Sequence, residues 1–321
     1  MIRSPLAALA AALLLIAGTA AAQDFPSRTI TVILPFSAGG TTDMVARSVT
    51  AKVTQSIGQT MVVENRPGAG GNIGADLVAK AKPDGHTLLF TAPGPVAINQ
   101  WLYKSMPYDP ARDLTPVTLA GTVPNLLVVH PSFSATTLAE LIALARAKPG
   151  QLNFASAGSG STSHLTAELL KSMAGIDMQH VPYKGMAPAL NDVLAGQVQM
   201  LFDNFPTAYQ QVKAGKLRAL AVTSATRHRS APEVPAVAET VPGYAAIGWF
   251  GWLAPAGTPR PIVERLAGEI GAALRSPEVS ERLAEAGLDI VANTPEAFAA
   301  FIREESVKWK RVVEVSGAQA D

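Results

Sequence analysis

Two glycine-rich segments have residue types suited to binding a small anion. Loop 1 is residues 35–43, PFSAGGTTD, and loop 2 is residues 156–162, SAGSGST. Glycine lets a ligand approach the backbone closely, and the free N–H groups at the start of a helix attract negative charge. Neither loop contains Lys or Arg, so two such loops facing each other would hold a carboxylate with main-chain donors alone. The alternative interpretation is that both loops are ordinary N-capped turns.

Each loop lies between a strand pattern and a helix pattern. Loop 1 follows the apolar run at residues 30–34, and loop 2 follows the run at residues 152–155. Further β-type runs occupy residues 61–63, 87–91, 126–129, 200–202 and 219–222, and helical patterns alternate with them. Such alternation predicts an α/β fold with largely parallel sheets, in which ligands bind beyond the carboxyl ends of strands.

Proline and glycine clusters indicate how the chain is divided. They occur at residues 121–124 and 241–243, between apolar runs, and mark candidate lobe boundaries. We predict one lobe from residues 23–123 together with 245–321, and a second lobe from residues 124–244. Because the chain then crosses twice between the lobes, the crossings form a hinge and the cleft is the expected ligand site.

Two aspartates extend the candidate site. Asp43 falls in the first turn of the helix after loop 1, where an acid favours the helix dipole and caps free N–H groups. The functional alternative is that Asp43 orders the loop beside the ligand or meets an ammonium group. Asp203 ends the run at residues 200–202, so it is a candidate for projecting into the cleft, and a salt bridge or cap elsewhere stays open.

An enzyme is the rival hypothesis. The residue types of a hydrolase triad occur at Ser161, Ser163, His164 and Asp203. A nucleophile elbow needs Gly-x-Ser-x-Gly on a strained strand-to-helix turn, whereas here Gly158 and Gly160 directly enclose Ser159. The motif therefore fails to match, and His164 is more simply a residue of the first helical turn.

The N-terminus is typical of a secretory signal. Arg3 precedes an apolar run at residues 6–17, and small residues follow at 18–22, so we predict cleavage after Ala22 and export to the periplasm. The removed segment carries Arg3 and no acid, which leaves 25 basic and 25 acidic residues, and this balance argues against a nucleic-acid partner. The chain has no cysteine, and its five histidines lack ligand spacing, so we expect neither a metal nor a cofactor.

Six motifs occur in a recognisable order: residues 35–43, PFSAGGTTD; 64–72, ENRPGAGGN; 82–85, KPDG; 108–110, YDP; 180–185, HVPYKG; and 254–259, APAGTP. With them the chain resembles the Bug family, the extracytoplasmic solute receptors of tripartite tricarboxylate transporters. The resemblance covers essentially the whole mature chain.

This resemblance implies a two-lobed periplasmic-binding-protein fold that takes a small organic acid and passes it to integral-membrane permease subunits, without catalysis. It places the ligand-gripping loops on residues 36–41 and 156–162. A receptor that presents its ligand to a sensor kinase stays an alternative, and the identity of the acid stays open. With the two aspartates, the candidate ligand-binding residues are Phe36, Ser37, Ala38, Gly39, Gly40, Thr41, Asp43, Ser156, Gly158, Gly160, Ser161, Thr162 and Asp203.

Overall fold

A computed structural model of the chain describes residues 25–320, so the predicted signal segment lies outside the described residues. The strands within this range are β1 (Ile30–Leu34), β2 (Met61–Asn65), β3 (Thr87–Thr91), β4 (Leu114–Val129), β5 (Asn153–Ser156), β6 (Gln179–Pro182), β7 (Met200–Asn204), β8 (Arg218–Val222), β9 (Ile247–Pro255) and β10 (Asp289–Ile290).

The helices of the same range are α1 (Thr41–Ile57), α2 (Asn72–Ala79), α3 (Asn99–Leu102), α4 (Pro110–Asp113), α5 (Leu138–Ala147), α6 (Thr162–Ala174), α7 (Met186–Leu194), α8 (Phe205–Lys213), α9 (Arg260–Arg275), α10 (Pro277–Glu285) and α11 (Pro295–Ser316). Short 3₁₀ turns occur at Ala69–Gly71 and Val237–Glu239, and a π-helical turn at Gly94–Ile98. None of the helices between residues 25 and 320 combines the length and the apolarity needed to cross a bilayer.

The strands form one mixed sheet in the order β2-β1-β3-β9-β4-β7-β5-β6, and β8 and β10 also pair with β4. β1 pairs in parallel with β2 and β3, and β5 pairs in parallel with β6 and β7. Between these two parallel groups, β9 pairs antiparallel with β3, β4 pairs antiparallel with β9, and β4 also pairs antiparallel with β7. The predicted parallel pairing therefore holds within each group, and antiparallel strands join the groups.

Strands β4 and β9 carry the chain between two lobes. β4 pairs with β9 from Leu114 to Pro124, and from Asn125 to Val129 it pairs with β7 instead. The predicted two-lobed fold with two crossings is thus confirmed, with lobe 1 around β1–β3 and lobe 2 around β5–β8. The glycine and proline cluster at residues 121–124 does not break β4, although the change of pairing partner falls at its end. The exact lobe boundaries stay a proposal.

Both faces of the sheet are buried. In β1, Val32 and Leu34 belong to one hydrophobic cluster and Ile33 to the other, because successive side chains of a strand face opposite sides. In lobe 2, Val128 and Val129 divide between the same two clusters. Burial on both faces explains why these strands read as continuous apolar runs. The strands that carry the loops are therefore fixed by a core on each side.

Both loops start helices, as predicted. Gly40 is the N-cap of α1 and has an extended backbone, and Gly58 caps the other end of the helix in a left-handed conformation. Ser161 is the N-cap of α6, and its Oγ accepts the N–H of His164 at 3.3 Å. The first turns of α1 and α6 are therefore set by residues of the loops themselves.

Candidate functional site

Loop 1 is held in shape by the carboxylate of Asp43. One oxygen of Asp43 accepts the N–H of Gly39 at 3.3 Å, and the other accepts Asn65 Nδ2 at 3.1 Å. Asn65 also donates to the carbonyl of Phe36 at 3.0 Å, and Arg47 Nε lies 3.0 Å from both Asp43 oxygens. Burial opposes the charge of Asp43, but these hydrogen bonds outweigh it and lower the pKa of the carboxyl. Asp43 is thus a charged cap that fixes the loop.

Loop 2 is closed by its own hydroxyl groups. Ser161 Oγ donates to the carbonyl of Gly158 at 2.6 Å, and the N–H of Ser161 bonds the same carbonyl at 3.0 Å. Ser156 Oγ accepts the N–H of Gly158 at 3.1 Å. Since Ser156 ends β5 and Ser161 caps α6, the loop is pinned to the strand before it and to the helix after it.

Two stacked imidazoles support loop 2. The rings of His164 and His180 lie 16° from parallel, with centroids 4.0 Å apart. The N–H of Gly160 donates to His164 Nδ1 at 3.2 Å, and Ser156 Oγ lies 2.6 Å from His180 Nε2. Burial lowers the pKa of His180 to about 4 and holds the pKa of His164 well below its ordinary value. Both rings are therefore neutral at neutral pH, which leaves His164 Nδ1 free to accept.

The two loops face one cavity between the lobes. Its free volume is about 30 Å³. The wall contains neither Lys nor Arg. The residues that form it are Phe36, Ser37, Gly40, Thr42, Ala92, Ala157, Ser161, Thr162, Ser163, Met186, Asn204 and Phe250.

Unpaired donors concentrate at this cavity. Within residues 25–320, no hydrogen bond is made by the N–H groups that begin α1 and α6, those of Thr41, Thr42, Thr162 and Ser163. The buried hydroxyl of Ser37 likewise has no partner in that part of the chain. Two helix starts from different lobes therefore bring their orphan N–H groups and positive dipole ends to one small space.

Close contacts across the cleft hold the lobes together. The N–H of Ser37 donates to the carbonyl of Lys184 at 3.3 Å, while the Lys184 side chain is exposed. Tyr103 Oη donates to the carbonyl of Ser159 at 3.1 Å. Gly70 lies against the same carbonyl, since a Cβ added at Gly70 would overlap the Ser159 oxygen. Loop 2 is therefore covered by lobe 1 in this closed state.

Asp203 lies beneath the cavity rather than in its wall. Its side chain is fully buried, one oxygen accepts the hydroxyl of Thr207 at 2.6 Å, and the other has no partner within residues 25–320. Burial raises the pKa of Asp203 to about 7, although the Thr207 hydroxyl and the Asn204 amide act in the opposite direction. The next residue, Asn204, lines the cavity. The expectation that Asp203 projects into the cleft is thus not met by this conformation.

The structure brings part of the predicted set together in the cavity wall: Phe36, Ser37, Gly40, Ser161 and Thr162. The others stand behind the wall or beside it: Ala38, Gly39, Thr41, Asp43, Ser156, Gly158, Gly160 and Asp203. Two further wall residues, Thr42 and Ala157, lie within the predicted loops without being candidates by name. The remaining wall residues are outside the predicted set: Ala92, Ser163, Met186, Asn204 and Phe250. Strand alternation beyond Asp203 would have indicated Asn204, because neighbouring side chains of a strand face opposite sides.

The hydrolase constellation does not assemble. His164 Nδ1 accepts the N–H of Gly160, Ser161 Oγ bonds Gly158 and Ser163, and Asp203 bonds Thr207. The described residues therefore hold no Ser–His–Asp relay at these positions. Nor do three His, Asp or Glu side chains between residues 25 and 320 meet where they could hold a metal ion.

A two-lobed α/β fold with two crossing strands and a closed cleft lined by helix starts defines a periplasmic solute-binding protein. Residues 45–318 match the family described as "Tripartite tricarboxylate transporter family receptor", and the chain belongs to this family. The resemblance noted from the six motifs is thereby confirmed.

Relatives and solved structures agree with this assignment. Protein BugT of Bordetella pertussis (strain Tohama I) is 40% identical over 306 residues, covering 95% of this chain and 94% of its own length. The structure "R. palustris Rpa4515 with adipate" is 41% identical with a TM-score of 0.89, covering 92% of this chain and 99% of that chain. The structure "MatC (Rpa3494) from Rhodopseudomonas palustris with bound malate" is 36% identical with a TM-score of 0.87. The match covers 90% of this chain and 100% of that chain.

Members of the family are solute-binding receptors of the periplasm and not enzymes. The chain is accordingly a periplasmic receptor, and the hydrolase alternative is excluded by its family as well as by its geometry.

Proposed function

We propose that the receptor binds a small organic carboxylate between loops 1 and 2 and delivers it to the permease of a tripartite tricarboxylate transporter. The observation that carries this proposal is the pair of helix starts, α1 and α6, whose unpaired N–H groups lie at one cavity without Lys or Arg. A carboxylate can accept several hydrogen bonds at once, and it favours the positive dipole ends of both helices.

The proposed ligand-binding residues are those of the two loops, with different roles. The unpaired N–H groups that begin α1 and α6, together with Ser37, Gly40, Ser161 and Thr162 of the wall, are proposed to contact the carboxylate. The remaining loop residues are proposed to hold the backbone in the shape that exposes those donors. Asp43 acts in this way through the amide of Gly39.

A thermal-shift screen of mono-, di- and tricarboxylates, with adipate and malate included, tests the proposal. A carboxylate at about 100 times its dissociation constant adds roughly 2.7 kcal/mol to the free energy of unfolding. At about 2.1 cal/mol/K of unfolding entropy per residue, a chain of roughly 300 residues would rise in Tm by about 4 °C. The ligand recovered from the complex should be chemically unchanged.

The matched control is the diamide of each dicarboxylate, which has a similar shape and no negative charge. The diamides should give no shift at the same concentration. Equal shifts with acids and diamides, or shifts only with neutral or cationic solutes, would contradict an anion site.

Delivery to integral-membrane permease subunits is proposed from membership of the family, and presentation to a sensor kinase is its alternative. Genes for the large and small permease subunits beside this gene would favour delivery, and a neighbouring sensor kinase gene in their place would favour signalling.

We also propose that export removes residues 1–22, so that the mature receptor begins at Gln23. N-terminal sequencing of the protein taken from the periplasm should read Gln-Asp-Phe-Pro. A protein that still begins with Met1 would contradict the proposed cleavage after Ala22.

A further inference from the structure

A pair of hydroxyl groups joins the two lobes beside the cavity. Thr41 Oγ1 and Thr207 Oγ1 lie 3.1 Å apart. Thr41 is the first residue of α1 in lobe 1, whereas Thr207 lies in the first turn of α8 in lobe 2. Neither residue belongs to the cavity wall. The hydrogen bond between them therefore exists only while the lobes are closed.

The direction of this hydrogen bond is set by Asp203. Thr207 Oγ1 lies 2.6 Å from Asp203 Oδ2 and 3.2 Å from the carbonyl of Asn204. It donates its proton to the nearer oxygen, that of Asp203, whenever this carboxyl is ionised. A hydroxyl has one proton and two lone pairs, so Thr207 then has only a lone pair to offer to Thr41. Thr41 must donate, and the hydrogen bonds run in one direction from Thr41 through Thr207 to Asp203.

The inner end of this chain of hydrogen bonds is rigid. Asp203 has no exposed surface, and it belongs to β7, which is paired on both sides by β4 and β5. Thr207 follows four residues later on α8, which begins directly after β7. The acceptor that Thr41 meets on closure is therefore already in place in lobe 2 and needs no rearrangement.

We propose that Thr207 is a positioning residue that latches the closed lobes and slows release of the bound solute. This inference rests on the proposed solute-binding function. Thr207 contributes to the closed state without contacting the solute, so its loss should raise the rate of dissociation and leave ligand preference unchanged. Without the Thr207 hydroxyl, the fraction of molecules with closed lobes should fall even before any solute is added.

The experiment measures the distance between the lobes, with and without adipate. The chain has no cysteine, so a pair introduced at Val62 in β2 and Met173 in α6, both partly exposed, takes spin labels only there. Pulsed electron resonance on this labelled protein gives the ratio of closed to open molecules. Thr207→Val should lower that ratio about 2- to 10-fold, as expected for one net hydrogen bond.

Two further variants separate a latch from a structural defect. Thr207→Ser keeps the hydroxyl and should restore the wild-type ratio. Thr41→Val leaves the Thr207–Asp203 hydrogen bond intact, so it should lower the ratio by a similar factor without affecting Asp203. The double variant Thr41→Val with Thr207→Val should be no worse than the single variants, because both remove the same hydrogen bond.

Dissociation of adipate, followed by stopped flow, should accelerate by the same factor in Thr207→Val. An unchanged closed-to-open ratio in both valine variants would overturn the latch, as would a Thr207→Ser variant that behaves like Thr207→Val. The distance measured without adipate does not depend on binding. Failure of the latch is thus distinguishable from failure of carboxylate binding, which appears as no response of the wild type to any acid.

Discussion

Thr162→Pro is expected to weaken carboxylate binding about 10- to 100-fold while the receptor stays folded. Thr162 is the first residue of α6, and within residues 25–320 its N–H has no acceptor. Proline at this position removes that single donor without breaking a helical hydrogen bond. A hydrogen bond to a charged group contributes about 1.5–3 kcal/mol, which sets the expected loss. Calorimetric titration with the acid selected by the thermal-shift screen measures it.

The backbone of this site accepts proline. Ser161 has φ −68° and ψ 157°, the extended conformation that a residue before proline prefers. Helices α4, α10 and α11 already begin with proline. Thr162→Ala is the matched control, because it removes the side chain and keeps the N–H, and it should bind within a few-fold of wild type. Equal losses in both variants would contradict binding through the main chain.

Gly70→Ala is expected to hold the lobes apart and to weaken carboxylate binding by at least about 10-fold. Gly70 has a left-handed backbone, with φ 60°, in the turn that covers loop 2. A Cβ at Gly70 would overlap the carbonyl oxygen of Ser159 and lie 2.7 Å from Tyr103 Oη. The lobes then cannot close fully, so the N–H groups of α1 and α6 cannot reach the same carboxylate. The complex therefore loses at least about one hydrogen bond to the charged carboxylate.

Small-angle X-ray scattering measures this second effect. Wild-type receptor should have a smaller radius of gyration with the acid than without it, and Gly70→Ala should keep the larger value at saturation. Gly175→Ala is the matched control, since Gly175 has φ 61° and an added Cβ would meet nothing within 4 Å. Both alanines should cost roughly 1–2 kcal/mol of backbone strain. Closure of Gly70→Ala to the wild-type radius would show that contact across the cleft at this turn is not required.

Local signals in the sequence were sufficient for the loops and for several strands. β1 and β3 have the predicted bounds, because each is a continuous apolar run buried on both faces. The helix starts at Thr41 and Thr162 follow from glycine and serine at the preceding N-cap positions. These features depend on neighbours within a few residues, so they can be predicted from a single sequence.

The crossing strands were not predicted as strands over their full length. The first part of β4 contains Pro116, Gly121 and Pro124, residues that are rare inside strands. Its conformation is fixed by pairing with β9, more than a hundred residues further along the chain. A local pattern cannot contain that information, so residues 121–124 were interpreted only as a boundary.

The cavity wall shows the same division between local and long-range information. Ser161 and Thr162 belong to loop 2 and were predicted from it, whereas Phe250 and Met186 reach the cavity only through the sheet order and the closure of the lobes. The end of the apolar run at residues 200–202 predicts Asp203 at the cleft, yet β7 buries Asp203 and Asn204 lines the cavity. Which of these two neighbours reaches the cavity depends on the pairing of β7 with β4, because this pairing decides which face each side chain takes.

A wall without Lys or Arg has a consequence for the ionic strength at which this receptor can work. Attraction between mobile side-chain charges and a free anion fades as salt increases, since the Debye length falls from about 30 Å at 0.01 M to about 8 Å at 0.15 M. Backbone dipoles at the cavity act within hydrogen-bond distance, a range much shorter than the Debye length at either salt concentration. The affinity of the receptor for its acid should therefore change little between fresh and saline surroundings, a useful property for a protein in a compartment whose salt content follows the medium outside the cell.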